Sequence, residues 1–167
     1  MAGIGVRLVL LIAMVTTIGC DRVTKHAAAT TLSGGPSRSF LADTFRLEYV
    51  ENPGAFLNLG ADWPPPVRTA VFGLGNALFL IGLAVAAVRW RWPGPALLGV
   101  ALFVAGGASN LLDRITYGVV IDFMNIGFGP LRTGIFNVAD MAIMLGAGIL
   151  VLEAYRSDRP AEPCDER

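Results

Sequence analysis

Residues 67–92 read VRTAVFGLGNALFLIGLAVAAVRWRW, with no charged side chain between Arg68 and Arg89. A run of that length and polarity matches a hydrocarbon core about 30 Å thick, and a Trp- and Arg-rich exit is the composition of a membrane interface. Working outward, three more apolar runs follow the same logic. One spans about residues 4–20, with Arg7 near enough to its end to snorkel; the others span about 95–112 and 135–154. The expected fold class is therefore an all-α membrane protein of four transmembrane helices, forming a single membrane domain over residues 1–167.

Composition agrees. Only 16% of residues are charged, against roughly 25% in a soluble domain. Thirteen basic and thirteen acidic side chains cancel, and there is no basic tract, so no nucleic-acid partner is expected. An even number of crossings puts both termini on one side. Arg7, Arg89, Arg91, Arg156 and Arg159 then share that side and mark it as cytoplasmic, leaving loops of about 21–66 and 113–134 outside and a tail of about 155–167 inside.

The first outer loop has internal structure. Thr31 to Ser39 is rich in Gly, Ser and Pro and reads as turns, whereas Phe45-Arg46-Leu47-Glu48-Tyr49 alternates with period two and reads as a strand. With Phe40-Leu41 and the turn residues Ala42-Asp43 before it, this stretch predicts a small extracytoplasmic β platform within the first loop. Asn52-Pro53-Gly54 ends the strand, and Trp63 with Pro64, Pro65 and Pro66 closes the loop at a helix start.

Chemistry concentrates in a few polar residues beside these helices. Asp122 and Asp140 lie in apolar surroundings, where an ionised carboxylate costs on the order of 3 kcal/mol and is kept for pairing or chemistry. Near one membrane face they would form an acid/base pair. Asp21 and Lys25 are four apart, the spacing of a helix-end ion pair. Asn110, Asp113 and Arg114 share a face if the third helix reaches them, and Asp113 beside Arg114 reads as a structural charge pair. Asn137 suits a helix N-cap, a role that fits Asp140 less well because it falls inside the apolar run.

Other chemistries lack residues. His26 is the single histidine, no Gly-x-Ser-x-Gly elbow is present, and His and Cys are too few for a metal site. Cys20 and Cys164 fall on opposite membrane faces, which removes a disulfide, and Cys164 sits in a charged tail expected to be disordered. Hydrolysis would rest on carboxylates. A noncatalytic transporter or channel subunit, with Asp122 and Asp140 relaying protons or ions, stays open on this reading. Thr17-Ile18-Gly19-Cys20 loosely matches a lipidation box, but three further crossings argue against a lipoprotein.

Four motifs together carry a resemblance. They are Cys20-Asp21-Arg22-Val23-Thr24-Lys25; Asn52-Pro53-Gly54-Ala55-Phe56; Asn110-Leu111-Leu112-Asp113-Arg114 with Gly118-Val119-Val120-Ile121-Asp122-Phe123; and Phe136-Asn137-Val138-Ala139-Asp140. In order, spacing and placement on four crossings the series resembles lipoprotein signal peptidase (signal peptidase II). The resemblance implies an aspartic endopeptidase of the bacterial inner membrane that cuts diacylglyceryl-modified prolipoproteins on the amino side of the lipidated cysteine. It implies Asp122 and Asp140 as catalytic dyad at the outer face, and Asp21, Lys25, Asn52, Gly54, Asn110, Asp113, Arg114 and Asn137 as residues that shape or support the site. It further implies a monomer that meets substrate and membrane lipid and needs no metal or other cofactor. Two departures stand out: Gly54-Ala55-Phe56 is one residue shorter than the family pattern, which bears on how Asn52 meets substrate, and Ser109 replaces a Gly at a helix contact that a larger side chain would crowd, although Ser is small enough for membrane packing.

Overall fold

A computed structural model describes residues 4–55 and 58–158. Phe56 of the Asn52 motif, Arg159 and the Cys164 tail lie outside the described residues. Among those described, four helices are long and apolar enough to cross a membrane: Ile4–Leu32, Pro65–Arg89, Gly94–Tyr117 and Val138–Ser157.

Helix α1 (Ile4–Leu32) does not stop near Cys20 but continues through Asp21 and Lys25. The added turns are rich in alanine, a strong helix former. Thr24, Thr30 and Thr31 bond their hydroxyls back to the carbonyls of Cys20, His26 and Ala27, so their polar groups are met within the helix. Its buried residues are Asp21, Lys25, Ala28 and Leu32, a single stripe at helical spacing that is polar first and apolar beyond. Gly34 follows in the left-handed region, where glycine carries no Cβ penalty.

The second crossing begins with α2 (Pro65–Arg68), whose prolines occupy first-turn positions that need no intrahelical donor. It passes through a π-helical stretch, Thr69–Gly75, into α3 (Asn76–Arg89). Helix α4 (Gly94–Tyr117) is the central one, half of its apolar span being buried. It ends at Gly118, φ +77°, whose N–H bonds the Arg114 carbonyl. Helix α5 (Val138–Ser157) packs closely on α4. A Cβ on Gly106 would stand 2.4 Å from the Ala139 carbonyl oxygen, so glycine there sets the approach of the two backbones.

The β platform is larger than the first loop alone provides. Strands β1 (Arg38–Phe40) and β2 (Phe45–Asn52) form the expected hairpin, turning through Leu41, Ala42 and Asp43, all at positive φ. The Asp43 carboxylate accepts hydrogen bonds from Ser39 and Arg46, which hold it below the usual carboxylate range and fasten the turn. The segment between α4 and α5 adds β3 (Val120–Phe128) and β4 (Leu131–Arg132), giving an antiparallel sheet in the order β1-β2-β3-β4. Ala28 and Leu32 of α1 pack against Phe123 of β3, with Leu47 and Tyr49 of β2 beside them. The extension of α1 thus supports the sheet, and the sheet fixes Val50 opposite Asp122.

Candidate active site

Asp21, Lys25 and Asp113 build the floor of the site. The three are fully or almost fully buried. Lys25 Nζ lies 2.8 Å from Asp21 Oδ2, 2.7 Å from Asp113 Oδ2 and 2.8 Å from Asn110 Oδ1, so all three ammonium protons are used. Arg22 closes on the other oxygen of Asp113. Asp21 and Lys25 are therefore not a surface pair at a helix end but part of a buried network joining α1 to α4.

The expected Asp113–Arg114 pair does not form. Successive helical residues point about 100° apart, and Asp113 faces α1 while Arg114 turns toward the cavity and Gly54. The Arg114 guanidinium donates to the Gly54 carbonyl at 2.8 Å and lies over the Phe72 ring at 5.9 Å. Ser109 is small enough for the helix contact, as expected, and its hydroxyl donates to Asp21 Oδ2 at 2.6 Å, buried as part of the network. Arg22 and Ser109 are the members that sequence reasoning did not place in the network. Ser109 had a readable signal, since it lies four residues before Asp113 on one helical face. Arg22 had none.

The start of α5 is bound into the same floor. Asn137 caps the helix by accepting from the Asp140 N–H at 2.9 Å, while Asp140 Oδ2 accepts from the Asn137 N–H at 3.1 Å. Capping is thus shared by both residues, because the helix begins at Val138 and puts Asp140 in its first turn. Asp21 of α1 meets a third free donor, the Ala139 N–H, at 2.8 Å.

Two amides carry the network up to the carboxylates. Asn110 Nδ2 donates to Asp140 Oδ1 at 2.8 Å, and Asn137 Nδ2 donates to Asp122 Oδ1 at 2.6 Å. Asn52 reaches in from β2, its Nδ2 donating to Asp122 Oδ2 at 3.0 Å and its Oδ1 accepting from the Gly54 N–H at 2.9 Å. Each carboxylate is consequently held at both oxygens. Burial pushes the Asp122 carboxyl up to about 6, the charge of Asp140 acts in the same direction, and the bonds from Asn52 and Asn137 oppose it.

Asp122 and Asp140 line one cavity of about 500 Å³, with Asn52, Asn76, Asn110 and Arg114 as its other polar members. Its apolar wall comes from Val71, Phe72 and Gly75 of the π-helical stretch and from Ile143 and Met144 of α5. π-Helical turns recur at functional sites, and this one lines the same cavity as the carboxylates. The structure brings all ten residues singled out from the sequence into one connected cluster: Asp21, Lys25 and Asp113 below, Asn110 and Asn137 between, Asp122 and Asp140 at the cavity, Asn52, Gly54 and Arg114 at its rim.

Comparison with known proteins places this arrangement. A family model described as signal peptidase (SPase) II matches residues 12–156. The lipoprotein signal peptidase of Moorella thermoacetica is 34% identical over 143 residues, covering 84% of this chain and 88% of the relative. That of Brevibacillus brevis is 35% identical over 139 residues, covering 83% and 89%. A solved bacterial membrane enzyme superposes with a TM-score of 0.83 at 21% identity, over 95% of this chain and 94% of that one, which establishes the likeness of fold. With the family match spanning most of its length, and relatives above 30% identity over 83% and 84% of it, this chain belongs to the signal peptidase II family.

Proposed function

We propose that this chain is an aspartic endopeptidase in which Asp122 and Asp140 are the catalytic pair, removing the signal peptide of diacylglyceryl-modified prolipoproteins on the amino side of the lipidated cysteine. The observation that carries this reading is that both carboxylates line one cavity, each oriented by an amide. Two carboxyl groups at one site share a single proton and titrate as a pair. The ionised member takes a proton from water as it attacks, and the protonated member donates to the scissile carbonyl oxygen. The resulting tetrahedral adduct collapses when the leaving amine receives a proton from the pair.

The other polar residues are assigned positions around that step. Asn110 and Asn137 hold the carboxylates in their working geometry, a positioning role in which small displacements are costly. Asn52 and the Gly54 carbonyl, itself held by Arg114, stand at the rim where an extended peptide enters. No metal or organic cofactor enters this mechanism. The chain acts as a monomer in the bacterial inner membrane, termini in the cytoplasm and cavity toward the outer face, an orientation supported by Arg7, Arg89, Arg91 and Arg156 at one end of the bundle.

The test is matched prolipoproteins with and without the diacylglyceryl group, incubated with purified protein in one bilayer preparation. Acyl chains that stay in the bilayer help hold the cysteine at the pair, so the modified substrate is expected to be cleaved and the free-cysteine substrate to be cleaved far more slowly. Equal turnover of the two would refute lipid recognition.

A further inference from the structure

At the end of the bundle away from Asp122 and Asp140 lies a second, larger cavity of about 1000 Å³. It runs between the start of α1, the end of α3 and the start of α4, and none of the site residues lines it. Its depth is apolar: Leu10 and Met14 of α1 and Ala84 and Ala87 of α3 are half-buried along it, and Val100 and Ala101 of α4 form its buried base. Its mouth is basic. Arg7, Arg89 and Arg91 line it together with Trp90 and Trp92, and all three arginines are exposed. None of the three side chains makes an ion pair or a hydrogen bond with the described residues.

Arginines at a helix end mark the cytoplasmic side of a membrane protein, and each alone would need no further account. Here three of them, Arg7 from the start of α1, Arg89 from the end of α3 and Arg91 just beyond it, converge on one groove whose interior suits a hydrocarbon chain. A groove between crossing helices with basic groups at headgroup level is the form of a site for an anionic lipid. Tryptophan at the same level is suited to the boundary between headgroup and acyl chain.

We infer that this groove binds one anionic phospholipid from the leaflet opposite the carboxylate pair, an acyl chain lying against Leu10, Met14 and Ala84 and the phosphate meeting Arg7, Arg89 and Arg91. The two halves of the ligand match the two halves of the groove: apolar length inside, and at the mouth positive charge that no described residue pairs. The site is separate from the proposed peptidase chemistry and does not depend on it.

Native mass spectrometry of the full chain tests this, with phosphatidylglycerol and phosphatidylcholine of identical acyl chains as competing probes and glycerol phosphate as a soluble control. One phosphatidylglycerol is expected to be retained in preference to phosphatidylcholine, and glycerol phosphate not at all. Each arginine is expected to contribute about fivefold to that preference, so Arg7→Gln, Arg89→Gln and Arg91→Gln should lower it stepwise. Ala84→Trp, which fills the groove and leaves the arginines in place, should abolish retention. Equal retention of the two lipids, or a preference unchanged in all three single arginine variants, would overturn the assignment. So would a preference seen only after residues 159–167 are removed, because the acidic tail carrying Glu162, Asp165 and Glu166 would then be the occupant.

Discussion

Lys25 Nζ lies 2.7 Å from Asp113 Oδ2 with both side chains buried, an ion pair between the extension of the first helix and the end of the central one. Removing one partner of such a pair leaves the other charged and unmatched at low dielectric, a loss of about 3 to 5 kcal/mol. Lys25→Met is the severe case, because it strands Asp21 and Asp113 together. A double-mutant cycle read by unfolding in detergent is expected to give Lys25 and Asp113 a coupling of about 1 to 3 kcal/mol. The same cycle on Asp113 and Arg114 should give a much smaller coupling, and a large one there would contradict the separate directions of those side chains.

Asp122→Asn and Asp140→Asn are nearly isosteric and keep one acceptor oxygen for the surrounding amides. Each is expected to lower prolipoprotein cleavage by at least 10²-fold, with inserted, folded protein recovered, since general acid/base catalysis commonly contributes about 10²- to 10⁴-fold. Initial rates on the lipid-modified substrate provide the measurement. Activity above about a hundredth of the wild type in either variant would remove that aspartate from the proposed catalytic pair.

The Asp122 carboxyl, raised from an ordinary 3.8 to about 6, ties stability to pH. A carboxyl whose folded value is raised binds its proton more tightly in the native chain, so folding takes up a proton between those two values. Its contribution is complete below about pH 4 and is lost as pH rises through about 6. Melting temperatures of wild type and Asp122→Asn across that window should show the wild type losing ground to the variant as pH increases. A difference that stays constant, or changes in the other direction, would show that Asp122 is not raised.

Gly106 and Gly148 make a controlled comparison. Alanine at 106 would put its Cβ 2.4 Å from the Ala139 carbonyl oxygen and 2.9 Å from Ile143 Cγ1, and a backbone atom cannot swing aside. Helices α4 and α5 must separate next to the Asn110–Asp140 hydrogen bond, costing about 1 to 3 kcal/mol and much of the activity. Gly148 has nothing within 4 Å, so alanine there should be neutral or slightly stabilising through helix propensity. Thermal unfolding and cleavage rates of the two variants decide it.

Local pattern made part of this protein readable. The crossings followed from apolar run length, the β1–β2 hairpin from the period-two stretch at Phe45, and the Asn137 cap from its place before an apolar helix. Strand β3 left no such trace: Val120, Ile121, Asp122 and Phe123 are all buried, so alternation is absent, and the partner strand lies far back in the chain. The apolar run of α1 ends near Cys20, and Asp21 and Lys25 read as its outer end; the helix continues to Leu32 because Ala28 and Leu32 have the sheet to pack against.

The amino-acid sequence by itself determined how many times this chain can cross a membrane and which polar residues stand in apolar surroundings, since both depend on neighbours within a few turns. Only the tertiary structure decided what those residues do to one another. Asp113 has Arg114 next to it in sequence, yet it pairs with Lys25 and Arg22 on another helix, because adjacent helical side chains diverge while packed helices bring distant ones within hydrogen-bonding reach.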